Sequence, residues 1–187
     1  MATRHKHLLQ GRESTVSPSR HHSQSSMIVR AGIWFLIAFA LNLVWEVAHV
    51  GLYTLWNEAD LMTVARALVH CTLGDAAIAL AAFALAGFVL RQANWPEFRP
   101  RTGSLIVVIG TMSFTAWSEW YNVYQIGSWA YTASMPLLFG IGISPLLQWL
   151  ILPPLLTIAY RMACQRLPGR NSTSTTIPLR NFSGARK

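Results

Sequence analysis

Apolar positions along this chain fall into four long runs, at 31–56, 63–90, 104–124 and 137–160, separated by short polar stretches. A helix needs roughly 20 mostly apolar residues to cross the hydrocarbon core of a bilayer, and each run meets that length. With no water available to a lipid-exposed backbone, a run of this kind predicts a helix, because only a helix bonds its own N–H and C=O groups internally. The pattern therefore predicts an all-α fold, a polytopic membrane protein in which residues 31–160 form a four-transmembrane-helix bundle. Residues 1–30 and 161–187 read as disordered tails, polar and rich in Ser, Thr and Arg. No internal repeat is evident.

Charge adds an orientation. Of the 187 residues 52% are hydrophobic and 12% charged, yet the net charge is +8. The N-terminal tail carries Arg4, Lys6, Arg12, Arg20 and Arg30. The segment between the second and third runs carries Arg91, Arg99 and Arg101, and the C-terminal tail carries Arg161, Arg166, Arg170, Arg180, Arg186 and Lys187. The other two connections hold only Glu58 and Asp60, or no charge at all (125–135). Basic residues mark cytoplasmic loops, so this alternation predicts both termini in the cytoplasm and a multi-pass protein of the bacterial inner membrane. Nucleic-acid binding is not expected, since no basic patch sits on a folded polar surface. The basic tails suit attraction to lipid headgroups.

Several features change the picture less. Cys71 is placed in the outer half of the second helix and Cys164 just past the cytoplasmic end of the fourth, so no disulfide joins them within one chain. The first run is too long and too polar for a signal peptide; Met27, just ahead of it, is a second candidate start. Tyr53, Trp56, Trp120, Tyr121, Tyr124, Trp129 and Tyr131 gather at the outer interface, as an aromatic belt does. The small residues of "DAAIALAAFALAG" suit close helix packing, including against a second copy. His5, His7, His21 and His22 read as solvated tail residues, and the Asn171 sequon carries no meaning on a cytoplasmic tail.

The candidate chemistry lies inside the runs. "NLVWEVAHVGLY", residues 42–53, places Asn42, Glu46 and His49 on one helical face by spacings of four and three. At about 1.5 Å per residue Asn42 sits near the midplane and Glu46 and His49 in the outer half. His70 and Asp75 on the second run, and Glu119 on the third, reach similar depths. Asp75 follows His70 by five residues and faces a different neighbour; Gln148 on the fourth run, with Ser144 one turn earlier, adds a polar group. An acid inside a span costs about 2.5 kcal/mol or more, and only Arg66 is available in the runs as a cation. Glu46, His49, His70, Asp75 and Glu119 are therefore the candidate catalytic residues. Each has a plainer reading as an interhelical hydrogen-bonding or packing group, above all Asn42 and Gln148.

Two chemistries fit these residues. Glu46 and His49 form E-x-x-H, the spacing by which one helix of a bundle supplies a carboxylate and an imidazole to a metal centre, and Glu46, His49, His70 and Glu119 would make a single divalent metal site. The second copy that a dinuclear site requires is absent. Alternatively the same groups act without metal, as a buried acid and base on a lipophilic substrate. A haem between His49 and His70 is disfavoured, because carboxylates beside them suit a hard ion better than a porphyrin.

"NLVWE", Asn42 to Glu46, resembles the N-x-x-W-E element of the membrane-integral terpene cyclases, which implies Glu46 as the group that protonates a substrate. The string "SEWYNVY…SWAYTASMPLLFGIGISPLLQ" resembles small bacterial integral membrane proteins and implies no activity. Three classes remain open: a membrane enzyme with an outward-facing site, a metal-, haem- or proton-coupled binding or transport protein, and a structural or accessory subunit.

Overall fold

The computed structural model describes residues 19–166. Four long helices dominate it: α1 Ser19–His49, α3 Leu61–Val89, α5 Pro100–Trp120 and α6 Ile143–Gln165. Two single-turn helices, α2 Leu55–Glu58 and α4 Trp95–Phe98, lie in the connections. A 3-10 turn, Val50–Leu52, prolongs α1, and a π-helical segment, Tyr121–Gln125, prolongs α5. Strands β1 Leu137–Leu138 and β2 Ile141–Gly142 form a small antiparallel hairpin ahead of α6. Among the described residues three helical stretches are long and apolar enough to cross a membrane: Met27–Leu52, Leu61–Val89 and Ile143–Gln165. The fourth, α5, is diluted by Thr102, Gly103, Ser104, Thr111, Ser113, Thr115, Ser118 and Glu119.

Helix α1 packs on α3 and α6, and α5 packs on the same two, so the four close a ring in the order α1, α3, α5, α6. Neighbours run antiparallel. His49 meets Ser144, Asn42 meets Gln148 and Trp34 meets Tyr160, three rungs descending α1 as α6 ascends in number.

One half of the bundle is densely packed. Trp34, Phe83, Trp95 and Tyr160 interlock with ring centroids 4.8 to 6.1 Å apart, mostly tilted or edge-on, the arrangements aromatic quadrupoles favour. Both buried indoles find acceptors, Trp34 Nε1 donating to Ala79 O (3.0 Å) and Trp95 Nε1 to Phe83 O (3.1 Å). Ala76, Ala79, Ala82 and Ala86 recur along the buried face of α3, so its backbone can approach α1 closely. Gly103 is required where it stands: a Cβ there would lie 1.8 Å from the Trp95 ring. Arg30 closes this end, bonding Asn94 and pairing with Glu97 at 3.4 Å.

At the other end a loop replaces helix. Thr54 N–H donates to Ala130 O and Thr132 N–H to Leu52 O, each 3.0 Å, and Tyr53 pairs with Tyr131 as an isolated bridge. The segment after α1 and the loop after α5 are thereby sewn together. In the hairpin beyond, Phe139 and Gly140 both have positive φ (51° and 83°), as a two-residue hairpin turn of the primed type demands.

Boundaries differ from those the hydropathy suggests, and α5 begins at Pro100, four residues before its apolar run. Residues 137–142 belong to the hairpin, since the positive φ at Phe139 and Gly140 cannot be helical, and α6 starts at Ile143. It continues to Gln165, which places Cys164 inside the helix and buried; Cys71 and Cys164 are both free thiols. Helix α1 gives way at Val50, before the apolar run ends. It also begins at Ser19, so 19–30 extend the first helix instead of joining the tail. His5, His7 and the C-terminal tail from 167 lie outside the described residues.

Candidate functional site

The loosely packed half encloses a cavity of about 550 Å³ between all four long helices. Five residues singled out from the sequence line it: Glu46 and His49 from α1, His70 and Asp75 from α3, and Glu119 from α5. On α3 the lining positions 67, 71, 74, 75 and 78 repeat at three and four, one face of a helix, so Asp75 looks into the bundle and not toward a separate neighbour. No Lys or Arg lines it among the described residues.

A chain of polar contacts crosses the cavity floor. Gln148 uses both hydrogens of its carboxamide, donating to Asn42 Oδ1 and to Asp75 Oδ2, each at 2.8 Å. Asn42 Nδ2 in turn donates to Ala38 O (2.8 Å). Glu46 lines the same cavity as Asp75.

Above the floor sits the E-x-x-H pair. His49 Nε2 is 3.2 Å from Glu46 Oε1, and His49 Nδ1 is 2.9 Å from Ser144 Oγ on α6. The ring is thus held at both nitrogens, between an acid and a hydroxyl, and it is buried. On the facing wall Glu119, also buried, accepts a 2.5 Å hydrogen bond from the Tyr131 hydroxyl. Trp129 Nε1 is buried with no partner in ordinary hydrogen-bond geometry, although it lies near enough to act on Glu119. The π-helical segment after α5 carries Asn122, whose amide turns back to Ser118 O (2.8 Å).

Tyr131 and Tyr53 belong, by sequence, only to the aromatic belt; the structure places Tyr53 in the cavity lining and Tyr131 against Glu119. Tyr53 stacks edge-on against His49 (5.4 Å) and leans on Tyr131 (5.7 Å). Burial, with Glu119 beside them, pushes both phenols above their usual range, so each remains a hydrogen-bond donor at neutral pH. One signal could have pointed to Tyr131: it is a titratable group in a loop that carries no charge.

The metal arrangement is not assembled. Glu46, His49, His70 and Glu119 line one cavity, but among the described residues no three His, Cys, Asp or Glu side chains converge as ligands. His70 is exposed at the rim, and both nitrogens of His49 already have neighbours. A second hollow, about 450 Å³, lies along Phe98 to Thr102 and holds no carboxylate or imidazole. Compared with known proteins, the chain matches no family model, no curated protein and no solved structure.

Proposed function

We propose that this chain is an integral membrane enzyme that performs metal-free acid–base chemistry on a lipophilic substrate held between its helices. It would span the membrane four times, α5 included, with both termini in the cytoplasm, as the basic segments at 91–101 and beyond 161 favour. One observation carries the catalytic reading: Glu46, Asp75, Glu119 and His49, from three separate helices, line a single cavity that has no Lys or Arg among its described residues. Helix packing alone gives no reason to gather three acids at one point of an apolar bundle.

The roles follow from contacts. Glu46, 3.2 Å from His49 Nε2 and in the same cavity as Asp75, is placed to deliver a proton to a substrate atom and to be recharged by the imidazole, itself linked to Ser144. Glu119, on the opposite wall, accepts the proton released at the end of the reaction, with the Tyr131 hydroxyl holding its carboxylate in place. A buried, water-poor pocket favours this division, because a neutral acid and a hydrogen-bonded carboxylate are what such a site can stabilise.

The test is proton transfer to carbon. Purified protein in vesicles of extracted lipids, incubated in deuterium oxide, is expected to place deuterium in a lipid-soluble component seen by mass spectrometry. Glu46→Gln and Glu119→Gln should each abolish it while the melting temperature stays level or rises, since a neutral isostere relieves buried charge. Wild-type incorporation in both variants, or none in wild type, would overturn the proposal.

A further inference from the structure

Where α3 faces α5, residues that line the cavity are also exposed. Gly74 lines the cavity yet is exposed, and a Cβ placed on it would meet nothing within 4 Å. His70, one turn along α3, is exposed as well. Opposite them Phe114 of α5 also lines the cavity with 44% of its surface exposed. These positions are in the middle of two long helices, where the surroundings of a spanning bundle are hydrocarbon. The gap is bounded at both ends. Toward the packed half, Leu85 comes to 3.8 Å of where a Gly110 Cβ would be, so α3 and α5 touch there. At the other end the loop stitched to residues 52–54 brings Ser128 and Trp129 over the cavity as a roof.

We infer that the cavity receives its ligand sideways from the bilayer, through a portal between α3 and α5 at Gly74, and that this ligand is an uncharged lipid-soluble molecule. The inference rests on the acid–base reading of the cavity and names its substrate class. Beside His70, exposed apolar side chains flank the gap, Val69 and Leu73 on α3 and Trp117 on α5, a surface suited to lipid. Inside, three carboxyl-bearing walls and no lysine or arginine give a phosphate or a fatty-acid carboxylate no counter-charge. A neutral molecule whose reactive end lies among Glu46, His49 and Glu119, with its apolar remainder in the gap, meets neither obstacle. At about 550 Å³ the cavity falls in the size range of sites for single small molecules, roughly 300–1,000 Å³.

The portal is tested by photolabelling in lipid vesicles with an apolar aryl diazirine that partitions into the bilayer, followed by peptide mapping. Wild type should be labelled at lipid-facing Phe88 and Ile158 and also at the cavity wall around Glu119 and Gln148. Gly74→Trp, whose side chain has open space to enter, should lower cavity labelling at least fivefold and leave Phe88 and Ile158 unchanged. Gly74→Leu, a smaller plug, serves if the tryptophan variant loses the lipid-facing pattern and hence its fold. Equal cavity labelling in the plugged protein would overturn the portal, as would a cavity labelled only by a charged, water-soluble diazirine added outside. Either result would leave the deuterium-transfer reading standing, and failure of that reading would leave the labelling pattern untouched.

Discussion

Replacing Gln148 by leucine isolates the contact that ties three helices together at the cavity floor. The side chain is 2% exposed, and its two N–H bonds go to Asn42 of α1 and Asp75 of α3. Leucine keeps much of the volume and removes both donors at once. Interhelical hydrogen bonds between neutral groups in membrane proteins average about 0.6 kcal/mol with a maximum near 1.7, because the unfolded chain in lipid also finds partners. The bond to Asn42 belongs in that class, and about 1 kcal/mol is assigned to it. A hydrogen bond to a carboxyl in a buried site is stronger, about 1.5–3 kcal/mol. The sum for Gln148→Leu is then about 2.5–4 kcal/mol of lost stability.

Reversible unfolding in bicelles would measure it, with Asn42→Leu and the double variant completing a cycle. If the bonds act as drawn, the double variant is less destabilised than the sum of the singles by about 1 kcal/mol, since Asn42 loses the same partner only once. A Gln148→Leu cost below 0.5 kcal/mol, or strict additivity with Asn42→Leu, would refute the network.

Three further outcomes are expected. Gly103→Ala forces a methyl into the buried Trp95 ring, which is pinned by its bond to Phe83 O, and should cost about 1–3 kcal/mol on thermal unfolding; a change under 0.5 would mean that the ring can step aside. Tyr131→Phe removes the 2.5 Å bond to Glu119 and should lower deuterium transfer at least tenfold with membrane insertion intact; unchanged turnover would remove Tyr131 from the site. Asp60 caps α3, accepting 2.9 Å bonds from Thr63 N and Thr63 Oγ1, and its backbone bond holds the carboxyl below its ordinary 3.8. A depressed folded value means that this stabilisation is present above pH 3.8 and lost as pH falls through the folded value. Amide exchange at the start of α3 should therefore accelerate over that window in wild type and stay flat in Asp60→Asn, and equal slopes would refute the cap's contribution.

Helices were legible wherever a long apolar run met no turn chemistry, and α3 was read to within two residues at its start and one at its end. The misread stretch, 137–142, is apolar throughout, and hydropathy cannot distinguish "LLFGIG" as a hairpin from the same letters as a helix. Only the paired positive φ angles at Phe139 and Gly140 decide it. Within the site, expensive groups announced themselves: a glutamate in a span needs explanation on sequence alone, and Glu46, Asp75 and Glu119 do line one cavity. The least secure of them, Asp75, turns out to bond Gln148, because α3 turns that face inward across from α6. Tyr131 was illegible as a site residue. Its place depends on backbone bonds between two loops, residues 52–54 and 130–132, almost 80 positions apart in the chain, and no local pattern encodes such a contact.

The two halves of the bundle divide the work that stability and chemistry demand. Hollowing a core costs stability in proportion to the empty volume, on the order of 24 cal/mol per Å³ in soluble proteins, so a cavity of this size must be supported from elsewhere. Here the support comes from residues far apart in the chain, Trp34 to Tyr160, gathered toward the other end of the bundle. The alanine face of α3, the four interlocked rings and the Arg30 contacts lie at one end, and the acids lie at the other. At the acid end the helices are joined by polar bridges, Gln148 of α6 to Asn42 of α1 and Asp75 of α3, and Ser144 of α6 to His49 of α1. Bridges of this kind tie α6 to α1 and α3 beside the cavity, and the packed end supplies the apolar contacts that the hollow end lacks.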